Sequence, residues 1–362
     1  MATSDATWDY RDAHEDRFAR TYFRAFGDCV VSSIGLGTYL GEAMDTADER
    51  YHDAIVEALE SGINLVDTAI NYRNQRSERV VGDAIRDSDV DREAVVVASK
   101  GGYVPFEGER PPEPGQFIRE QYLDTGIIDE SDLVAGQHCI APDYLDDQLD
   151  RSLDNLGLDA LDLYYVHNPE TQLKDHDAET VYDRLEAAFE RLEERRAAGD
   201  ICHYGVATWE CFRVAQDHSA YLSLPEVVRR ARAAADAAGA ETTGLQAIQL
   251  PFNVFMSDAF TQESHEGPDG PQSALWFAND AGLDVFTSAS LGQGRLAREI
   301  PGEVSEQLSG DTIAQRAINF ARSAPGVTSA LVGMGSPEHV GENVDAGTFE
   351  PMGASAFDAV FE

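Results

Sequence analysis

Ala94-Val95-Val96-Val97-Ala98-Ser99-Lys100 is a β-type run, apolar almost throughout, that ends on a lysine. It reads as a buried strand. Similar short runs recur on both sides of it, at Ile34–Gly37, Ile63–Val66, Leu161–Val166, Cys202–Val206, Leu245–Leu250, Leu283–Thr287 and Thr328–Val332. Amphipathic stretches lie between them. Thr46–Ser61 sets Ile55, Val56, Ala58 and Leu59 on one face, and Ala178–Ala198 repeats Leu185, Ala188, Phe189 and Leu192 at helical spacing. Ser77–Ile85, Ala141–Leu156, Leu224–Ala238, Gln272–Ala281, Asp311–Arg322 and Ser336–Ala346 continue the pattern. Eight strands alternating with helices imply an α/β fold of the closed (β/α)8 TIM-barrel type. An open doubly wound sheet would place a GxGxxG turn after the first strand. Gly35-Leu36-Gly37-Thr38-Tyr39-Leu40 does not continue that way.

Residues 1–20 read as a loose polar lead, and 21–362 as a single barrel domain. Thr21–Phe26 and Cys29–Ser32 flank Gly27-Asp28, the signature of a short β-hairpin. Residues 101–140 show no clear helix or strand and carry Pro105, Pro111, Pro112 and Pro114. A connection this long is usually functional or disordered. It leaves the C-terminal end of the third strand, where barrel enzymes keep their sites, so it reads as a wall or lid over a substrate.

Of 27 basic residues only Lys100 and Lys174 are lysines, against 66 acidic residues and a formal net charge of −39. The chain lacks lysine rather than positive charge. Lysine at a buried strand end can be desolvated and its pKa shifted, whereas arginine stays charged and brings a bulky fork. Self-repulsion of this size destabilises a compact state unless salt screens it. With 43% hydrophobic residues and acids spread along the whole chain, the composition points to a globular protein of a salt-rich, halophile-like cytoplasm rather than a disordered one. It argues against nucleic acid or anionic membrane partners. No apolar stretch reaches the ~20 residues of a membrane span, and the acidic N-terminus is unlike a signal peptide. Cys29, Cys139, Cys202 and Cys211 form no CxxC pair and read as free thiols of a reducing compartment.

Three strand ends carry ionisable groups of different kinds. Asp67 follows Leu65-Val66, with Tyr72 five residues on; Lys100 ends the opening run; His167 ends Leu161-Asp162-Leu163-Tyr164-Tyr165-Val166. In a parallel barrel these ends share one rim. Singly, each has an ordinary reading as a helix cap, a packed aromatic or a satisfied strand-end histidine. Together they form a coherent acid site. A tyrosine of pKa ~10 is a poor acid at neutral pH, and a neighbouring ammonium is expected to lower that value. Asp67 then aims Lys100, His167 hydrogen-bonds a carbonyl oxygen, and Tyr72 protonates it as charge develops, a contribution of ~10²–10⁴-fold. Such a site suits hydride addition to a small aldehyde or ketone. Lys100 alone leaves open a Schiff-base lyase.

The segments Gly62–Tyr72, Ser77–Gly82, Ser99-Lys100, Leu161–Pro169 and Gly333–Asn343 together resemble the aldo-keto reductase family, and the resemblance runs from about Thr21 to Ala346. It implies a barrel capped below by the N-terminal hairpin and NAD or NADP lying extended across the strand C-termini. It places the family's tetrad on Asp67, Tyr72, Lys100 and His167. Gly37, Thr38 and Tyr39 would border the nicotinamide, Gln249 its carboxamide, and Glu342 and Asn343 the adenine, with Leu291, Gly333 and Ser336 as further cofactor contacts. Two positions depart from the family pattern. Ala207-Thr208 replaces the usual Ser-Asn, and Ser288 stands where an aromatic residue usually stacks on the nicotinamide. Between Gly333 and Asn343 there is no lysine or arginine to hold a 2′-phosphate, and only His339 could become cationic. NAD is therefore expected to serve at least as well as NADP. A cofactor-sensing subunit with little turnover is a further role that some barrels of this family fill. The pairs His138-Cys139 and Cys202-His203 lack a CxxC or HxxxH partner, so no metal is expected. Substrate identity and oligomeric state are not legible.

Overall fold

A computed structural model describes residues 1–300 and 302–361, with the side chain of residue 303 left out of the description. Strands β1 (Phe23–Phe26) and β2 (Cys29–Ser32) pair antiparallel as the expected hairpin. The following strands are β3 (Ile34–Gly37), β4 (Leu65–Asp67), β5 (Val96–Gly101), β6 (Leu161–His167), β7 (Ile201–Ala207), β8 (Leu245–Pro251), a small hairpin β9 (His265–Gly267) and β10 (Gly270–Gln272), then β11 (Asp284–Ser288) and β12 (Val327–Gly333). Strands β3 to β8, β11 and β12 close into one barrel in which β12 returns to β3, and every barrel pairing is parallel. The (β/α)8 expectation holds. In chain order the helices are α1 (Ser4–His14), α2 (Asp45–Glu60), α3 (Arg76–Asp87), α4 (Pro114–Ile118), α5 (Pro142–Leu156), α6 (Ala178–Ala198), α7 (Leu224–Ala238), α8 (Asp258–Thr261), α9 (Ala274–Ala281), α10 (Gly302–Gln307), α11 (Ile313–Ser323), α12 (Pro337–Asp345) and α13 (Ala354–Asp358).

The period-two alternation of a strand sorts each strand into two faces. Val95 and Val97 pack outward with the helices, as do Tyr164 and Val166. Leu65, Val96, Ala98, Leu163, Tyr165, Ala247, Phe286 and Leu331 fill the barrel interior. Phe26 and Val31 of the hairpin join this inner cluster, with the Phe26 and Phe286 rings 5.5 Å apart. The hairpin thereby seals the floor. Continuing the same alternation upward, Asp67 follows Leu65, Lys100 follows Ala98 and His167 follows Tyr165, each on the inner face at the open rim.

Glycine at 205 makes room for this interior. A Cβ there would sit 2.4 Å from the Ala247 carbonyl oxygen and 2.7 Å from the Tyr165 ring. Gly205→Ala is expected to destabilise the fold by about 1–3 kcal/mol through overpacking, read by urea denaturation; an unchanged midpoint would show that the β7–β8 step yields freely.

Two parts depart from the sequence reading. The first twenty residues are not a loose lead. Thr3 caps α1 by accepting from the Ala6 amide, and Tyr10 is buried, its hydroxyl donating to the Leu59 carbonyl. Only Thr7 and Tyr10 of α1 are buried, too narrow a stripe to show as periodicity. The 101–140 segment does contain helix: α4 continues into one wider turn at Arg119–Leu123. It also has a core of its own, formed by Val104, Ile118, Tyr122, Ile128 and Cys139 against Tyr144 of α5. No helix among the described residues is long and apolar enough to cross a membrane.

Candidate active site

The open rim surrounds a cavity of about 770 Å³, within the range of roughly 300–1,000 Å³ common for small-molecule sites. Asp67, Tyr72 and His167 line it, as do Gly37, Thr38, Tyr39, Thr208, Gln249, Ser288, Leu291, Gly333 and Ser336. Lys100 lies just beneath. It is 0% exposed, and its Nζ donates to Asp67 Oδ1 (2.5 Å) and to the Thr68 carbonyl (2.8 Å). Gln249 Nε2 donates to the other Asp67 oxygen at 2.7 Å. Lys100 Nζ stands 4.8 Å from the centre of the Tyr72 ring, and the Tyr72 and His167 rings are 6.0 Å apart. The four expected groups therefore do converge.

Their electrostatics differ from the sequence expectation in one respect. The Tyr72 phenol is pushed well up, not down, first by burial and then by Asp67, Tyr39 and Tyr103. Burial is the first influence on the phenol, and the Lys100 charge is taken up by Asp67. Burial is also the largest influence on that pair, raising the Asp67 carboxyl and lowering the Lys100 ammonium against their mutual attraction. Burial, with Lys100 and His138 nearby, holds His167 well below the usual imidazole range. His167 is thus a neutral hydrogen-bonding group, and Tyr72 retains its proton.

The flanking loops are fixed by buried polar clamps. His138, near the end of the long loop, is fully buried. Its Nε2 donates to the His167 carbonyl (2.7 Å), a tautomer set by Gln172 Nε2 donating to its Nδ1 (2.9 Å). Both ring nitrogens of this metal-ligand candidate are therefore engaged within the protein. Tyr103 packs its ring 4.8 Å from His138 and 5.2 Å from His167, and Asn168 donates to the Tyr103 hydroxyl. On the other side Glu170 Oε1 accepts from the Thr208 hydroxyl (2.8 Å) and from the Trp209 (2.8 Å) and Glu210 (2.9 Å) amides. The Thr208 hydroxyl is spent on this clamp, so it does not replace the hydrogen bonding of the Ser-Asn pair. Trp209, 42% exposed, remains as an aromatic wall of the cavity.

Burial pushes His138 down to about 4. Below ~6.5, the value of an unfolded histidine, the unfolded chain binds a proton that the folded chain refuses, so this contribution to stability falls as pH drops from about 6.5 toward 4. The expected slope is about 1.4 kcal/mol per pH unit. His138→Gln should remove it: between about pH 6.5 and 5 the wild type is expected to lose about 2 kcal/mol more than the variant in urea unfolding. Equal losses would show that His138 is protonated in the fold.

Glu342 and Asn343 do not line the cavity; Asn343 is buried in α12 and the Glu342 carbonyl accepts from Gln315. Sequence reasoning passed over Arg50, Asn71, Asn168 and Gln293, all of which do line it. Both Asn168 and Gln293 have positive φ (49° and 57°); the turn at Asn168 has no glycine to signal it, whereas Gln293 lies between Gly292 and Gly294. The Asn71 Oδ1 and His167 Nδ1 atoms are buried without a partner, on a wall that also carries small residues such as Gly37, Thr38, Ser288 and Gly333. Such a wall suits a flat, polar ligand with both donors and acceptors, which a nicotinamide dinucleotide is.

A family model described as "Aldo/keto reductase family" matches residues 33–361. Pyridoxal 4-dehydrogenase of Microbacterium luteolum is 27% identical over 330 residues, covering 87% of this chain and 89% of that one. The NADH-specific methylglyoxal reductase of Escherichia coli is 32% identical over 145 residues, 39% of each chain. Among solved structures, an aldo-keto reductase from Klebsiella pneumoniae in complex with NADPH superposes with a TM-score of 0.62 at 19% identity, over 95% of this chain and 96% of that one. With its barrel, its rim of ionisable groups and a family match spanning nearly its whole length, the chain belongs to the aldo-keto reductase family.

Proposed function

We propose that this protein interconverts a small aldehyde or ketone and its alcohol, using NAD or NADP as hydride carrier and Tyr72 as general acid. The observation that carries the reading is the convergence of Asp67, Lys100, Tyr72 and His167 at one cavity. The cofactor, when bound, supplies or accepts the hydride. Gly37, Thr38, Gln249, Ser288, Leu291, Gly333 and Ser336 would hold it. Neutral His167 orients the carbonyl oxygen with a hydrogen bond. Tyr72 keeps its proton while the cavity is uncharged and releases it to that oxygen as negative charge develops. Lys100, fixed by Asp67 against the ring, favours the phenolate left behind. The aromatic wall of Tyr39, Tyr103 and Trp209 favours uncharged carbonyl compounds over strongly anionic ones.

A Schiff-base role for Lys100 is disfavoured by the same geometry, because its amine is buried and tied to Asp67 and Thr68 beneath the cavity floor. The loop after β12 offers no lysine or arginine, which supports use of NAD at least as well as NADP. The test is steady-state oxidation of NADH and NADPH with a panel of neutral aldehydes in KCl-rich buffer. Turnover with either cofactor is expected. Cofactor binding without turnover of any carbonyl would favour a sensing subunit instead.

A further inference from the structure

The cavity wall holds a single arginine or lysine among the described residues, Arg50 on α2, and a single carboxylate, Asp67. Asp67 is already neutralised by Lys100. Arg50 has no ion-pair partner among the described residues. Its Nε donates to the Thr46 carbonyl at 3.2 Å, which fixes the stem. Its two terminal nitrogens have no acceptor and no carboxylate within ion-pair distance among the described residues. In a chain where acids outnumber bases more than two to one, this contrasts with the neighbouring Arg73 and Arg76, both paired to Asp48.

What faces Arg50 is the loop after β12. Tyr51, the next residue on α2, donates its hydroxyl to the Leu40 carbonyl at 2.7 Å. Its ring lies so close to Gly335 that a Cβ on that glycine would meet it at 3.7 Å. Arg50, Tyr51, Gly335, Ser336 and His339 therefore border one stretch of the cavity. The two acids that follow, Glu338 and Glu342, are not part of the cavity wall. A guanidinium with a free fork, beside an imidazole and a hydroxyl, matches a phosphate group.

We propose that Arg50, which shares this stretch of the cavity wall with His339, forms a phosphate subsite that takes the 2′-phosphate of NADP, the cation coming from α2 rather than from the segment after the last strand. This rests on the dinucleotide reading above. It refines that reading: NAD needs no such cation, and Arg50 keeps NADP within reach.

The test is calorimetric binding of adenosine 2′,5′-bisphosphate, adenosine 5′-monophosphate and NAD to wild type, Arg50→Ala and Arg50→Lys, all at one KCl concentration. In Arg50→Ala the bisphosphate is expected to weaken roughly tenfold relative to the monophosphate, while the monophosphate and NAD stay within about twofold of wild type. Arg50→Lys should fall between. An unchanged bisphosphate-to-monophosphate ratio in Arg50→Ala, with NAD still bound, overturns the subsite and leaves the dinucleotide site standing. Loss of NAD binding by the wild type itself would overturn both.

Discussion

Tyr72→Phe is expected to lower kcat/KM for carbonyl reduction by ~10²–10⁴-fold while leaving cofactor affinity within about twofold. The asymmetry follows from geometry. The phenol is packed between Tyr39, at 5.0 Å ring to ring, and His167, and the variant keeps that packing. What it loses is the one proton positioned for release. Because burial and Asp67 hold the phenol well above its ordinary range, the acid form persists through neutral and mildly alkaline pH, and no loss of rate from phenol ionisation is expected there. Steady-state kinetics with fluorescence titration of the cofactor separates the two effects. Activity unaffected by the substitution would remove Tyr72 as the acid.

The second large effect concerns salt. With a net charge of −39, raising KCl from ~0.1 M to ~1 M shortens the Debye length from ~10 Å to ~3 Å, and stability is expected to rise by several kcal/mol. The ion pairs run the other way: the fully exposed arginine–carboxylate contacts, such as Arg86–Asp83 and Arg119–Glu130, are worth only ~0–1 kcal/mol each, and the more buried ones are screened less by salt. Thermal unfolding across a KCl series reads the balance. Equal stability at both ends would mean that the acids are far enough apart in the fold not to repel, and would remove the salt-rich cytoplasm as their explanation.

The barrel was legible because parallel strands buried on both faces read as apolar runs, and three of these runs lead into an ionisable residue at the rim. Asp67, Lys100 and His167 could be named from that pattern alone. Helix α1 could not, because an acidic helix resting on two side chains has no stripe. The direction of the Tyr72 shift was misread since burial is the largest influence on the phenol, followed by Asp67, Tyr39 and Tyr103, and the depth of a side chain after a strand end is not written in the local sequence. The diversion of Thr208 depends on Glu170, 38 residues earlier in the chain, and no local pattern encodes it. Arg50 sits on the exposed side of an amphipathic helix, where an arginine ordinarily means solvation. Only the closure of the barrel, which sets α2 against the loop after β12, gives it something to face.

The complete burial of Lys100 has a practical corollary. Lys174, at the exposed end of the turn after β6, is left as the one side-chain amine within reach of acylating reagents. A fluorophore or surface linker coupled through amine chemistry would attach to side chains at a single address, with the exposed amino group of Met1 as the other amine to block for a uniformly oriented conjugate.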